Sequence, residues 1–202
     1  MANPKSPHNQ PTPDPIAHFK TIPWCNALLT SPRTLAVAVP DRTPTTTSES
    51  NLVRVTLNTP STVRACVTFF RMPTKAEREG NTVGETRERP FVEIGCLLDV
   101  GDGLAGRAHV MHGGVFSVVL DEVLSTVAYQ HSDHGAITAY LNVQWKRPLV
   151  TPSVTLCKGR VVKKEGKKVF VKGSFHDAEG NTLAEAEGLW ILLTGKEGKP
   201  KL

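Results

Sequence analysis

Apolar residues crowd nearly every position of the stretch around 114–130: Val115, Phe116, Val118, Val119, Leu120, Val123, Leu124, Val127 and Ala128. β-Branched residues disfavour helix. The run is nevertheless too long for an ordinary strand and lacks strict alternation. It predicts a helix over 114–130, and a helix apolar on most sides must be buried on most sides. After it the pattern changes. "AITAYLNVQWKRP", "SVTLCKGRVVKKEG", "KKVFVKGSFHDAEG" and "TLAEAEGLWILLTG" follow in quick succession, joined by Thr-Pro-Ser, Glu-Gly-Lys and Ala-Glu-Gly-Asn. Those joints are hairpin material, so the pattern predicts an antiparallel meander. Before the helix, "RTLAVAVP", "NLVRVTLN", "STVRACVTFFRM" and "FVEIGCLLDVGDG" read as strands. "PIAHFKTIPWCNALLTS" reads as one or two short helices broken near Pro23. The whole is an α+β fold: a curved antiparallel sheet wrapped around a long central helix, with an N-terminal helical extension.

Two segments stand outside this pattern. Residues 1–15 are rich in Pro, Asn and Ser and predict a disordered tail, leaving 16–202 as a single domain. "PTKAEREGNTVGETRERP", within 73–90, is highly charged and predicts an exposed, mobile insertion.

Composition adds bounds. The chain has 202 residues, 39% hydrophobic and 21% charged, which is ordinary for a soluble globular protein. No apolar run approaches the roughly 18 residues that cross a bilayer, so no membrane partner is expected. The first residues lack the basic and apolar regions of a secretory signal and hold little arginine. The expected compartment is cytoplasmic, with mitochondrial as the alternative. Cys25, Cys66, Cys96 and Cys157 never form C-x-x-C and read as buried, reduced thiols. Net charge is +5. The excess is local: Lys146, Arg147, Lys158, Arg160, Lys163, Lys164, Lys167, Lys168 and Lys172 face only Glu165 over that stretch. An anionic partner is implied, without choosing among nucleic acid, membrane and phosphorylated small molecules. Trp24, Trp145 and Trp190 are too scattered for a nucleic-acid stacking platform. His131-Ser-Asp-His134 has metal-ligand residue types but reads as a solvated helix end. "GDGLAG" reads as a turn.

The chemistry concentrates at the start and middle of the long helix. His112-Gly113-Gly114 precedes it. A helix N-terminus has free N–H groups and partial positive charge, and glycine lets a substrate oxygen come close. The tripeptide is therefore an oxyanion-hole candidate; a tight turn that opens a helix would use the same residues. Asp121 sits among Val119, Leu120, Val123 and Leu124, where a carboxylate is costly unless paired or facing a cavity. Ser117, Asp121 and Ser125 recur at helical spacing and predict a polar strip. Asp121 lies about 10 Å along the axis from Gly114, too far for one scissile carbonyl to touch both. A second, antiparallel copy of the helix would bring its own Asp121 beside the first copy's glycines, so the site predicts at least a dimer.

His-Gly-Gly, six residues, then Asp on an apolar helix, followed by "TAYLNVQWKRP" and a meander, resembles the hotdog-fold thioesterases, and in particular the phenylacetyl-CoA-thioesterase-like (PaaI-like) and acyl-CoA thioesterase branch. The resemblance is firm from about Gly101 to Leu193. It implies a hotdog fold and hydrolysis of a fatty-acyl or aryl-acyl coenzyme A. It also implies a homodimer or homotetramer with a shared site, and no metal or organic cofactor. It assigns Asp121 as general base or nucleophile, Gly113 or Gly114 as oxyanion donor, His112 as its support and Thr138 as the residue that places water. Many relatives carry Asn or Gln shortly before the histidine; here Arg107 and His109 stand there instead. Asn142, Lys146, Arg147, Arg160, Lys163 and Lys164 are candidates for coenzyme A, and Phe116, Leu120 and Tyr129 for the acyl pocket. A thioester is activated, so one carboxylate and an oxyanion donor suffice, and no G-x-S-x-G elbow is present. A hotdog hydratase or dehydratase and a non-catalytic acyl-CoA binder are the alternatives. No nucleic-acid partner is expected.

Overall fold

A computed structural model describes residues 7–78 and 82–195. Helices α1 (Pro15–Lys20) and α2 (Pro23–Leu29) open the chain, each with proline in its first turn, where the missing N–H is harmless. Strands β1 (Thr34–Ala38), β2 (Val63–Arg71) and β3 (Glu93–Val100) follow, with the short helix α3 (Lys75–Arg78) between the last two. A small hairpin, β4 (Ala105–Arg107) and β5 (Val110–Met111), leads into α4 (Gly113–Tyr129). The chain then runs through β6 (Ala136–Trp145), β7 (Ser153–Glu165), β8 (Lys168–His176) and β9 (Thr182–Leu192). Seven strands form one sheet in the order β1-β2-β3-β7-β8-β9-β6, every pairing antiparallel. This is the hotdog arrangement: a sheet wrapped around α4.

α4 buries Phe116, Val119, Leu120, Val123, Leu124, Val127 and Ala128 against that sheet. Each of these side chains larger than alanine contributes on the order of 1.5–3 kcal/mol, which outweighs the weak helix propensity of the valines. The helix comes close because Gly159 and Gly173 stand opposite each other on β7 and β8. A Cβ on Gly159 would lie 2.1 Å, and one on Gly173 2.6 Å, from a Leu124 methyl. The other face of the sheet is covered over β2, β3 and β7 by α1 and α2, where Phe19, Cys25 and Leu29 pack on Ala65, Val67, Phe69, Leu97 and Leu156. All four cysteines are free and buried. No helix among the described residues is long and apolar enough to cross a membrane.

Some expectations change. Residues 1–6 of the expected tail lie outside the described residues, but 7–14 are pinned to the fold. Gln10 is fully buried; its amide donates to the carbonyls of Pro40 and Cys66 and accepts from the Cys66 N–H. A side-chain amide thus takes the place of a neighbouring strand, which composition does not reveal. "NLVRVTLN" is no strand but a π turn over Leu52–Thr56. It has no strand to pair with, and the Leu57 N–H closes back on the Leu52 carbonyl at 2.8 Å. In the 73–90 insertion, residues 79–81 lie outside the described residues. The rest is largely exposed yet tied down: Glu77 meets Arg33 and Arg71, Arg78 meets Glu85, the Lys164 N–H donates to the Val83 carbonyl, and Arg89 meets Asp133.

Candidate active site

Two features meet at the start of α4. His112 is its N-cap, in extended conformation, and His112 Nδ1 accepts the Gly114 N–H at 2.9 Å. The His112 carbonyl accepts the Val115 N–H. Among the described groups the Gly113 N–H donates to none. Of the two glycines, Gly113 therefore carries the amide left for a ligand oxygen. The Gly113 carbonyl accepts the Trp145 indole N–H at 3.1 Å, so the last residue of β6 pins the turn that presents that amide. A Cβ at Gly113 would sit 3.4 Å from the same indole nitrogen.

Two turns along, Asp121 lies half-buried on α4. Thr138 of β6 donates its hydroxyl to Asp121 Oδ1 at 2.8 Å. Among the described residues the second carboxylate oxygen has no hydrogen-bond partner. Asp121 lines an open cleft of about 460 Å³ with Leu52, Ser117, Val118, Glu122, Leu141, Val143 and Trp145. The carboxylate is thus aimed by one neutral donor and faces a wet groove instead of dry packing. Beside it, burial and then the Asp121 charge push the Glu122 carboxyl above its ordinary range. Burial, followed by Glu122 and Asp121, raises the Tyr129 phenol. Ser125 does not join a polar strip toward the cleft: it turns to the core and accepts the Trp190 indole N–H at 2.8 Å.

The remaining candidates divide. Thr138 joins Asp121. Lys146 and Arg147 follow Trp145 directly, beside the Gly113 turn; Lys146 reaches Glu185 and Arg147 donates to the Thr182 carbonyl. Asn142 and Arg160 line a different cleft, on the outer face of the sheet with Glu93, Lys158 and Lys172. Lys163 lies over Phe170 and pairs with Glu165, and Lys164 is bonded to Val83. Within one protomer these three cations are not brought to Gly113 or Asp121. Phe116 and Leu120 are sealed in the core at 2% and 0% exposure, Phe116 edge-on to Phe175. They point at the sheet, not at the cleft, and so form no acyl pocket. Tyr129 is exposed at the far end of α4. His109 adopts a left-handed conformation and turns its ring to Asp102, and Arg107 is exposed. His131 is buried against Phe91, and burial, with Lys164 and Arg89 nearby, lowers its pKa to about 4. Among the described residues no His, Cys, Asp and Glu group is arranged to hold a metal.

β6 ends the sheet. One side of its backbone is unpaired, and Ile137, Tyr140 and Trp145 on it are 47%, 44% and 56% exposed. A ten-residue edge that long and apolar invites pairing with another chain.

Residues 108–184 match the family model of the thioesterase superfamily. The bovine acyl-coenzyme A thioesterase THEM4 is 32% identical over 99 residues, covering 48% of this chain and 40% of the relative. The chain thus matches less than half the length of that relative. Verlamelin biosynthesis protein B of Lecanicillium sp. is 22% identical over 179 residues, covering 73% and 74%. Among solved structures, the PaaI protein of E. coli superposes with a TM-score of 0.48 at 13% identity, over 51% of this chain and 74% of that one.

Proposed function

We propose that the protein is an acyl-CoA thioesterase, hydrolysing the thioester of an acyl-coenzyme A to the free acid and coenzyme A. The observation that carries this is the pairing of an unsatisfied Gly113 N–H at a helix start with an Asp121 carboxylate held by Thr138 in an open cleft. The similarity to the acyl-coenzyme A thioesterase THEM4 supports the same reading.

In this mechanism the thioester carbonyl accepts the Gly113 N–H, where the helix end stabilises the charge that develops on oxygen. His112 caps Gly114 and so fixes the turn. Asp121 acts from the other side as general base on water, or as nucleophile, and Thr138 holds its Oδ1 so that the free oxygen points at the reacting carbon. Gly113 and Asp121 are eight residues apart on one helix, about 12 Å along its axis. A carbonyl cannot touch both within one protomer. The β6 edge resolves this: antiparallel pairing of two β6 strands would set two copies of α4 side by side and put each Gly113 opposite the other's Asp121. The site is therefore shared in a homodimer. Lys146 and Arg147, beside the Gly113 turn, are placed to meet the phosphates of coenzyme A.

The test is release of free thiol from a panel of acyl-CoAs by the wild-type protein and by Asp121→Asn. The reading expects turnover by the first and a loss of at least 100-fold in the second. Equal rates would overturn it.

A further inference from the structure

We propose that the acyl chain is received inside a single protomer, in a chamber between α4 and the segment before β2, and not between the two helices of a dimer. This rests on the thioesterase reading and adds where the chain goes and what sets its length.

The chamber has a volume of about 250 Å³. Its walls are Val53 and Leu57 of the π-turn region, Val63 and Leu98 of the sheet, and Val118 and Val123 of α4. Its rim is exposed, at Asp41, Ser50 and Glu122, and its floor is buried, at Arg42, Cys66 and Cys96. Helical geometry links it to the reaction cleft. Ser117 and Asp121 face the cleft, and Val119, Val123 and Thr126 face the chamber. Val118 and Glu122, one turn apart, border both. A thioester whose carbonyl sits at Asp121 has only this ridge to cross, beneath Leu52, to lay its chain against Val123. Ligand pockets usually begin near 300 Å³, so this one suits part of a ligand: an aliphatic chain of medium length.

The chamber is also preformed. Arg42, 5% exposed, donates to the carbonyls of Val53, Leu57 and Val63. One buried guanidinium thus ties the roof, the π turn, to the floor, β2. Those elements lie before residue 108, where the thioesterase match begins. Chain-length selection therefore draws on the π turn and β2, outside the thioesterase match, as well as on the α4 wall within it.

The experiment measures kcat/KM for acetyl-, hexanoyl-, octanoyl-, decanoyl- and palmitoyl-CoA with wild type, Val123→Phe and Val53→Phe. Each variant fills the chamber from an opposite wall. The expected result is that the decanoyl-to-acetyl ratio falls at least tenfold in both. A ratio held within twofold in either folded variant overturns the proposal. Val53 lies on a partly exposed turn, so Val53→Phe decides if Val123→Phe does not fold. If no acyl-CoA is turned over by wild type, it is the thioesterase reading that fails. Binding then carries the test: the thioether S-decyl-CoA should bind wild type at least tenfold more tightly than free coenzyme A, and this advantage should vanish in Val53→Phe. Equal binding of the two by wild type overturns the chamber.

Discussion

The Thr138 hydroxyl donates to Asp121 Oδ1 at 2.8 Å, across the gap between an edge strand and the central helix. This contact leaves the other carboxylate oxygen as the one that faces the cleft. A hydrogen bond to a charged group is worth roughly 1.5–3 kcal/mol. Thr138→Val should therefore lower kcat about 10- to 100-fold with KM little changed. Thr138→Ser, which keeps the hydroxyl, should recover most of it. Steady-state kinetics of the pair check this, and equal loss in both variants would leave the hydroxyl without a role.

His112 presents a separable contribution. Its ring accepts the Gly114 N–H, so it is an N-cap through a side-chain nitrogen. Removing a capping side chain typically costs about 1 kcal/mol. His112→Ala should lower the unfolding free energy by that amount, seen as a lower denaturant midpoint at unchanged m. Equilibrium unfolding measures it.

His131 gives the protein an acid-sensitive element. Its ring is buried beside Phe91 and its Nδ1 has no hydrogen-bond partner among the described residues. Burial first, then Lys164 and Arg89, bring its pKa from 6.5 to about 4. The folded protein thus holds His131 neutral, while the unfolded chain takes up a proton below about 6.5. The contribution is complete above that pH and is lost as pH falls toward 4. Its size is at most about 3 kcal/mol. His131→Leu should flatten the decline of unfolding free energy between pH 6.5 and 4, read by denaturant titrations across that window.

The β6 edge predicts assembly. Ile137→Lys with Tyr140→Lys places two cations on the exposed apolar edge, a device that blocks strand pairing. Light scattering should show a shift toward monomer, and thioester hydrolysis should fall in parallel. A dimer that persists with full activity would place the contact elsewhere.

Much of this fold could be read from apolar spacing. α4 and the meander β6–β9 repeat their periodicities over long runs, and tertiary burial acts in the same direction. Asp121 was conspicuous because a carboxylate in an apolar helix needs a cavity, and the cleft supplies one. Other features depend on contacts that spacing cannot carry. The π turn at Leu52–Thr56 has strand-like residues, and the buried Arg42, eleven residues before Val53, helps hold it in its turn. Gln10 looks like tail composition until its amide meets the backbone of Cys66. Phe116 and Leu120 are acyl-pocket candidates in the sequence alone. Helical phase settles their place: they lie on the face turned to the sheet, whereas Val118 and Val123 border the cavities. Helical phase was available in the sequence; which strand covers which face was not.

The central claim is that one protomer's Gly113 amide and the other's Asp121 carboxylate serve the same carbonyl, and mixing two inactive variants tests it. Asp121→Asn removes the carboxylate. Gly113→Pro removes the amide, at the first helical position where proline fits, after a residue already extended at His112. Each alone should be inactive. After co-refolding at equal amounts, half the dimers are mixed and each mixed dimer regains one intact site of two, so activity should return to about a quarter of wild type. Activity no higher than the sum of the two parents, with mixed dimers demonstrably formed, would contradict a shared site.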